Sequence, residues 1–402
     1  MKNGYKKTSL GILPSEWEVV KLGDICKFYK GKGISKNDIS KNGINCIRYG
    51  ELYTIYDEKI NKIYSKTNLN PKNLFLSKFN DIIIPSSGET AIEISKASCV
   101  LLDNVALGGD LNVLRTKENG IFISYYLNHM AKNEIAKLAQ GFSIVHLYTK
   151  ELKTLKIPLP QLKEQRKIAE ILSSYDEAIL LTSNLISAKK EFKKALMQNL
   201  LTAKIRFPNF NGIWKEVRLG EILKERKTYQ EKDLNLEHVS LTKEGVIPKS
   251  ERYERDFLVK DENKKYKITK LNDICYNPAN LKFGVICKNS YGNGIFSPIY
   301  VTFECKKEFN LDFITYYVTQ NDFIQKVRKF EEGTVYERMA VNPKDFLSFK
   351  IKLPNLSEQS KIAEILSSVD EEINLLNKKL EQLNLQKRGV MQNLLSGKVR
   401  VK

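Results

Sequence analysis

Near the end of the chain the apolar positions fall at Ile362, Leu366, Val369, Ile373, Leu376, Leu380 and Leu383, then at Val390 and Leu394. The steps alternate four and three, which is the seam of a coiled coil, interrupted only where Lys387 takes a seam position. An earlier stretch keeps the same places with Ile168, Leu172, Tyr175, Ile179, Ile186, Leu196 and Leu200. It is weaker in its middle, where Thr182, Lys189 and Lys193 stand on the seam. Each stretch predicts one helix of roughly 38 residues, a rod of about 55–60 Å at about 1.5 Å per residue. Pro160 and Pro354 sit just before the starts, where the missing N–H costs nothing. Ser357 and Glu358 read as an N-terminal cap and first turn. Neither rod has anything local to cover its stripe, so the two most simply bury their stripes on each other.

The rods are copies. LPQLKEQRKIAEILSSYDEAIL, from Leu159, returns as LPNLSEQSKIAEILSSVDEEIN, from Leu353, without a gap and at an offset of 353 − 159 = 194. MQNLLTAKIR from Met197 answers MQNLLSGKVR from Met391 at the same offset. The openings of the two halves also match: PSEWEVVKLGDI at 14–25 and NGIWKEVRLGEI at 211–222 place Trp17 against Trp214, 214 − 17 = 197 apart. A self-match of this length means a duplicated unit. The expected division is a first module at 1–158, a rod at 159–206, a second module at 207–352 and a rod at 353–402. Trp17 and Trp214, the only tryptophans, read as aromatic anchors that seat each module on a neighbouring helix.

Between the rods the pattern is α/β (α+β). NDIIIPSS at 80–87 predicts a short buried strand running into a polar loop. GGD at 108–110 is a turn and LNVLRT after it a strand. Residues 122–141 predict a helix stopped by Gly141. In the second half NDICYNPANLKFGVI, 272–286, stands where NDIIIPSSGETAIEI stood, and residues 311–333 take the place of the helix. The frames repeat and the loops have diverged, as expected of two similar modules aimed at different targets.

Composition narrows the partner. The chain has 402 residues, 66 Lys and Arg against 47 Asp and Glu, and a formal net charge of +19. That excess favours a polyanion, either nucleic acid or an anionic membrane. No apolar run approaches the ~20 residues of a spanning helix, and the N-terminal residues lack the apolar core of a signal peptide. The expectation is a cytoplasmic protein with no membrane partner. The six cysteines form no CxxC spacing and read as small buried apolar residues. The three histidines are too scattered for a histidine-based metal site, so no metal is expected.

Catalytic patterns are missing. Asn277-Pro278-Ala279-Asn280 is near the loop with which amino-methyltransferases hold a flipped adenine, but it lacks the second proline and the stacking aromatic. No glycine-rich loop for S-adenosylmethionine precedes it. Glu304-Cys305-Lys306 has nuclease-like spacing without an upstream partner and reads as strand-end charge. YKGKG at 29–33 and SGK at 396–398 are not complete phosphate loops. No catalytic residue is expected.

The paired EQxKIAEIL starts at Gln165 and Gln359, the MQNLL ends at Met197 and Met391, and the WxxVxLGxI openings together resemble the specificity subunit of type I restriction–modification enzymes. The resemblance covers essentially the whole chain. It implies two target-recognition domains, each reading half of a split sequence in double-stranded DNA. It also implies two antiparallel helices that act as spacer and bind two adenine-methyltransferase subunits, with a restriction endonuclease/translocase subunit joining for cleavage. The chain would then carry no cofactor of its own, S-adenosylmethionine and ATP/Mg belonging to the partners. The rod surfaces would be formed by Ile168, Leu172, Ile179, Ile186, Leu196 and Leu200, and by Ile362, Leu366, Val369, Ile373, Leu376, Leu380, Leu383 and Leu394.

On DNA, Lys and Arg supply affinity through phosphates and polar side chains on loops read base edges. In the first half the base-reading candidates are Ser86, Ser87, Glu89, Thr90 and Lys96, then Ser143, His146 and Tyr148 on a glycine-hinged loop that runs into a helix-like segment. In the second they are Asn277, Asn280 and Lys282, with Thr334, Tyr336, Glu337 and Arg338. Lys30, Lys32 and Arg48 are the phosphate candidates. Many of these residue types are also what turns and caps prefer. The rival reading is a basic coiled-coil scaffold that binds DNA without sequence preference; divergent loops argue against it, since such a binder needs none. A self-contained modification enzyme is disfavoured by the missing cofactor loop.

Overall fold

The computed structural model describes residues 4–230, 236–252, 265–331 and 340–401. Both expected rods are single helices, Leu162–Leu200 and Leu356–Leu395. The chain divides into two compact units, Met1–Ser183 with Lys379–Lys402, and Asn184–Lys378. Each unit therefore contains one α/β module, the start of the rod that follows it and the end of the other rod.

In the first unit, Asp81–Pro85 is central to a five-stranded sheet with the order Cys26–Lys30, Leu111–Thr116, Asp81–Pro85, Ser98–Val100, Lys59–Ile60. All five of its positions are buried, which explains a continuous apolar run rather than an alternating one. Its register sets Ile83 against Val113 and Ile82 against Leu114. A second five-stranded sheet of short strands lies around Ile44–Ile47 and Ala106–Leu107. Asn80 takes φ 74°, a left-handed turn that Asn tolerates. The buried Asp81 beside it is held by Arg115 at 2.8 and 2.7 Å. The second unit repeats the device: Asn272 has φ 71°, and Asp273 takes Arg226 at 2.8 and 2.9 Å. The arginines come from different places in the two halves, so the aspartate is the fixed element. The second unit's main sheet has four strands, Leu223–Glu225, Val301–Cys305, Ile274–Tyr276 and Ile286–Lys288.

The EQ pair of the repeated motif ties module to rod. Gln165 donates its amide to the Pro160 carbonyl at 2.8 Å and accepts from the Asn119 N–H at 2.9 Å. Asn119 in turn caps the helix Gly120–His129. Gln359, Pro354 and Asn310 do the same for the helix Leu311–Thr319. The carboxylate of Glu164 accepts from Trp17 Nε1 at 3.0 Å and from Arg400 at 2.7 and 2.9 Å. Glu358 takes Arg206 at 2.9 and 2.8 Å. Within the first unit, Glu164 meets Arg400 and Asp176 meets Lys387. Rising numbers on one rod meet falling numbers on the other, so the segments run antiparallel. The second unit gives the same sense, with Lys193 on Asp370 and Arg206 on Glu358.

The seam residues divide by burial. Ile168, Leu172, Ile186, Leu200, Ile362, Leu366, Val369, Ile373 and Leu394 are buried. Ile179, Leu196, Leu376, Leu380 and Leu383 are half-buried. The lysines on the seam are not gaps. Lys387 pairs with Asp176 and Lys193 with Asp370, and each aspartate also accepts a tyrosine hydroxyl, from Tyr125 and Tyr316.

Several local expectations are corrected. The helix expected over 122–141 is two, Gly120–His129 and Lys132–Leu138. The break at Met130 and Ala131, whose N–H groups both turn back to the Tyr126 carbonyl, brings Ile135 into the core. The helix expected over 311–333 breaks at Gln320, whose extended backbone (ψ 143°) starts a new helix Asn321–Val327. The second rod is capped by Asn355, which accepts the Glu358 N–H at 2.9 Å, rather than by Ser357. Glu358 does stand in the first turn, as expected, with its carboxylate paired to Arg206.

Candidate nucleic-acid interface

In the first unit the loops after three strands meet around Asp110. Ser87 and Gly88 pair antiparallel with His146 and Val145. The Ser87 hydroxyl donates to Asp110 Oδ1 at 3.3 Å and lies 3.2 Å from His146 Nδ1. Ser86 is buried, its N–H on the Asp110 carbonyl at 2.8 Å and its carbonyl accepting from Leu147 at 3.0 Å. The Tyr53 hydroxyl donates to the Ser87 carbonyl at 3.0 Å, and the His146 ring stacks on Tyr148 at 6.1 Å. These bonds fix the backbone and leave the Asp110, His146 and Tyr148 side chains at the surface end of the cluster.

The 30–33 segment closes on the same turn. The Lys32 N–H donates to the Leu107 carbonyl at 2.9 Å. A Cβ at Gly31 would stand 1.9 Å from the Gly108 carbonyl oxygen, so only glycine lets the two loops approach. Gly33, Lys36, Arg48, Tyr49, Gly109 and Asp110 line a cleft of about 520 Å³. Arg48 Nε is buried without a hydrogen-bond partner among the described residues. Burial pulls the Lys30 ammonium below its ordinary pKa, against the opposing pull of the Asp110 carboxylate.

The structure thus brings together Ser86, Ser87, His146, Tyr148, Lys30, Lys32 and Arg48. It sets others aside. Thr90 and Glu93 close a turn on each other, the Thr90 hydroxyl donating to Glu93 at 3.0 Å and accepting its N–H at 3.2 Å. Glu89 beside it is exposed. Lys96 faces Asp57 at 3.6 Å instead of the cluster. Ser143 lies on an exposed tip. The expected helix-like segment after it is a short strand, Val145–His146, followed by one helical turn, Thr149–Leu152.

In the second unit Asn277 is a cap. Its side-chain oxygen accepts from the N–H groups of Ala279 and Asn280 at 3.1 and 3.3 Å, and starts the turn Pro278–Phe283. Gly284 ends the turn at φ 79°. Asn280 and Phe283 then line a cleft of about 540 Å³ with Thr242, Lys243, Glu244, Ile299 and Tyr300. Lys282 is exposed, its ammonium 5.2 Å from the Phe283 ring centre. Thr334, Tyr336, Glu337 and Arg338 lie outside the described residues. Glu304 accepts from Arg226 at 3.4 Å at the end of its strand.

Sequence reasoning passed over Asp110, Tyr53, Thr242, Lys243 and Glu244. Asp110 reads as the last residue of a turn, and nothing local announces that two other loops fold onto it. Thr242 did carry a signal, the T-x-x-G turn between the strands Val239–Leu241 and Val246–Pro248, where its hydroxyl meets Gly245.

Among the described residues no helix is long and apolar enough to cross a membrane. Residues 14–189 and 211–385 each match the family model for the type I restriction modification DNA specificity domain. The type I restriction enzyme MjaVIII specificity subunit of Methanocaldococcus jannaschii is 29% identical over 427 residues, covering 97% of this chain and 94% of its own. The S subunit of a type I restriction–modification system from M. genitalium superposes with a TM-score of 0.61 at 17% identity, over 94% of this chain and 96% of that one. A chain from a type I R-M system studied for complex assembly and conformational transition gives 0.56 at 16%, over 96% and 99%. At those identities the structural likeness speaks for the fold alone, and the two matched segments speak for descent: this chain belongs to the type I restriction modification DNA specificity family.

Proposed function

We propose that the chain is the DNA sequence-specificity subunit of a type I restriction–modification system. It recognises a bipartite site in double-stranded DNA, one half through residues 1–158 and the other through 207–352. It directs two adenine-methyltransferase subunits, and restriction endonuclease/translocase subunits, to that site. The observation that carries this reading is the pairing of a repeated frame with unlike loops. Asp81 and Asp273 hold the same turn in the two units, while Ser86 and Ser87 are replaced by a capped Asn277 turn. A binder indifferent to sequence needs no such difference.

In this reading the chain does no chemistry. S-adenosylmethionine, ATP and Mg belong to the partner subunits, and the complex works in the cytoplasm. The rods at 159–206 and 353–402 are the docking surfaces for the methyltransferase subunits as well as a spacer. In support, the first rod leaves Leu180, Leu181, Leu185 and Phe192 exposed and the second leaves Leu375 and Leu385 exposed, more apolar surface than a closed pair of helices requires. Mapping methylated adenines in DNA from cells with and without this chain tests the proposal. A split motif methylated only when the chain is present supports it, and an unchanged methylation map overturns it.

A further inference from the structure

The chain from Gln140 to His146 closes on itself. The Gln140 N–H donates to the His146 carbonyl at 2.9 Å, and the His146 N–H donates back at 2.7 Å. Gly141 makes the tight bend at φ 122°, where a Cβ would stand 2.1 Å from the Ile144 carbonyl oxygen. The base is pinned, because Val145 and His146 pair with Gly88 and Ser87 and Leu147 donates to Ser86. The tip is therefore a built hairpin and not a slack loop. At its end Phe142 is 100% exposed and Ile144 59% exposed. A single exposed apolar side chain is ordinary. Two on a pinned tip, whose base carries His146 of the polar Ser87–Asp110–His146 cluster, are not explained by packing within the unit.

We propose that this tip is a wedge for duplex DNA, with Phe142 entering between neighbouring base pairs and Ile144 filling the groove beside it. The inference rests on the reading above that the first module binds DNA. Three features favour DNA over a protein groove. The chain is strongly basic, with a net charge of +19. The hairpin grows from the same backbone as the polar cluster, so base edges at the cluster would put a base step at the tip. The tip has the chemistry of known wedges, an apolar side chain that unstacks a step and kinks the duplex by about 20–90°. Such a wedge would make the first half-site sensitive to the deformability of a step as well as to base edges.

The test uses the full-length chain purified with its methyltransferase subunits. The probe is a short duplex carrying the motif methylated in cells, with donor and acceptor dyes at its ends. The wild-type complex should raise energy transfer on binding. Phe142→Ala and Phe142→Ser should abolish most of that rise and weaken binding about tenfold, while Phe142→Trp keeps both. A Phe142→Ala complex that binds and bends like wild type overturns the wedge, as does a wild-type complex that binds its motif without bending it. Loss of methyltransferase from the Phe142→Ala complex on gel filtration, with bending intact, also overturns it and assigns the tip to a protein contact. If the wild-type complex does not prefer its motif to a scrambled duplex, the specificity-subunit reading itself fails before any variant is compared.

Discussion

The Trp17 indole donates its N–H to the Glu164 carboxylate at 3.0 Å, so the opening of the first module is hydrogen-bonded to the first turn of the rod that follows it. The duplicated position is not equivalent. Trp214 packs edge-on against Phe313 at 6.3 Å, and its buried N–H has no hydrogen-bond partner among the described residues. Glu358, the counterpart of Glu164, gives its oxygens to Arg206. Phenylalanine at the two sites should therefore cost differently. Trp17→Phe removes a hydrogen bond to a charged acceptor and should cost about 2 kcal/mol beyond the lost ring area. Trp214→Phe removes an unsatisfied donor, and only the area term should remain. Urea unfolding of the two variants checks this; equal costs would show that the Trp17 bond contributes nothing.

Glu58 makes the first unit acid-sensitive. Burial pushes its carboxyl up, but the hydrogen bond from His129 at 2.7 Å and the Lys387 charge outweigh it and hold the pKa at about 2. An unfolded glutamate titrates near 4.3. A group depressed in the folded state contributes stability above its unfolded pKa and loses it as pH falls through the folded one. The chain should therefore lose up to about 3 kcal/mol between about pH 4.5 and pH 2 through this group. In Glu58→Gln the acid limb should be flatter by that amount, measured by denaturant midpoints across the pH range. A limb of unchanged slope would remove Glu58 from the account.

Leu366 and Leu376 belong to one seam by spacing, yet the fold separates them. Leu366 is fully buried in the second unit's core beside Ile362 and Ala363, whereas Leu376 is half-buried. Leu366→Asp should cost several kcal/mol and unfold that unit, since the carboxylate has no partner there. Leu376→Asp should leave the chain folded, with a cost of about 1 kcal/mol. Thermal melting followed by circular dichroism separates the two. Gel filtration of folded Leu376→Asp with the methyltransferase then asks whether the rod is also a docking surface, for which loss of the complex is the expected result.

The rods were legible because a helix seam is a one-dimensional pattern. Burial of Ile168, Leu172, Ile362 and Leu366 follows from their spacing alone. Lys193 and Lys387 looked like defects for the same reason, since their partners Asp370 and Asp176 lie on the other rod and spacing along one helix carries no word of them. The buried run of Asp81–Pro85 was equally plain. The breaks at Ala131 and Gln320 were not, because those residues suit a helix locally and the chain bends there only to bury Ile135 and Phe323. Within the candidate interface, polar loop residues could be found by type. Which of them meet could not: Lys96 faces Asp57, from a distant loop, and not the Ser87–His146 cluster.

Asp110 offers the sharpest test of base reading. It is exposed at the centre of the Ser87–His146 cluster, in a chain whose charge is otherwise suited to phosphates. A carboxylate repels phosphate but accepts from the exocyclic amino group of cytosine or adenine. Asp110→Asn keeps an oxygen for the Ser87 hydroxyl and leaves the backbone bond to Ser86 untouched, so stability should shift by no more than about 0.5 kcal/mol. The new amide adds a donor where only acceptors stood. Preference at a single base pair should then relax or change, since each good base contact is worth about 1–3 kcal/mol of discrimination. The change should fall in one half of the methylated motif and leave the other as it was, because the second module has its own loops. Methylome sequencing of cells carrying the variant reads both halves at once. An unchanged motif would remove Asp110 from base recognition, and changes in both halves would refute the assignment of one half-site to each module.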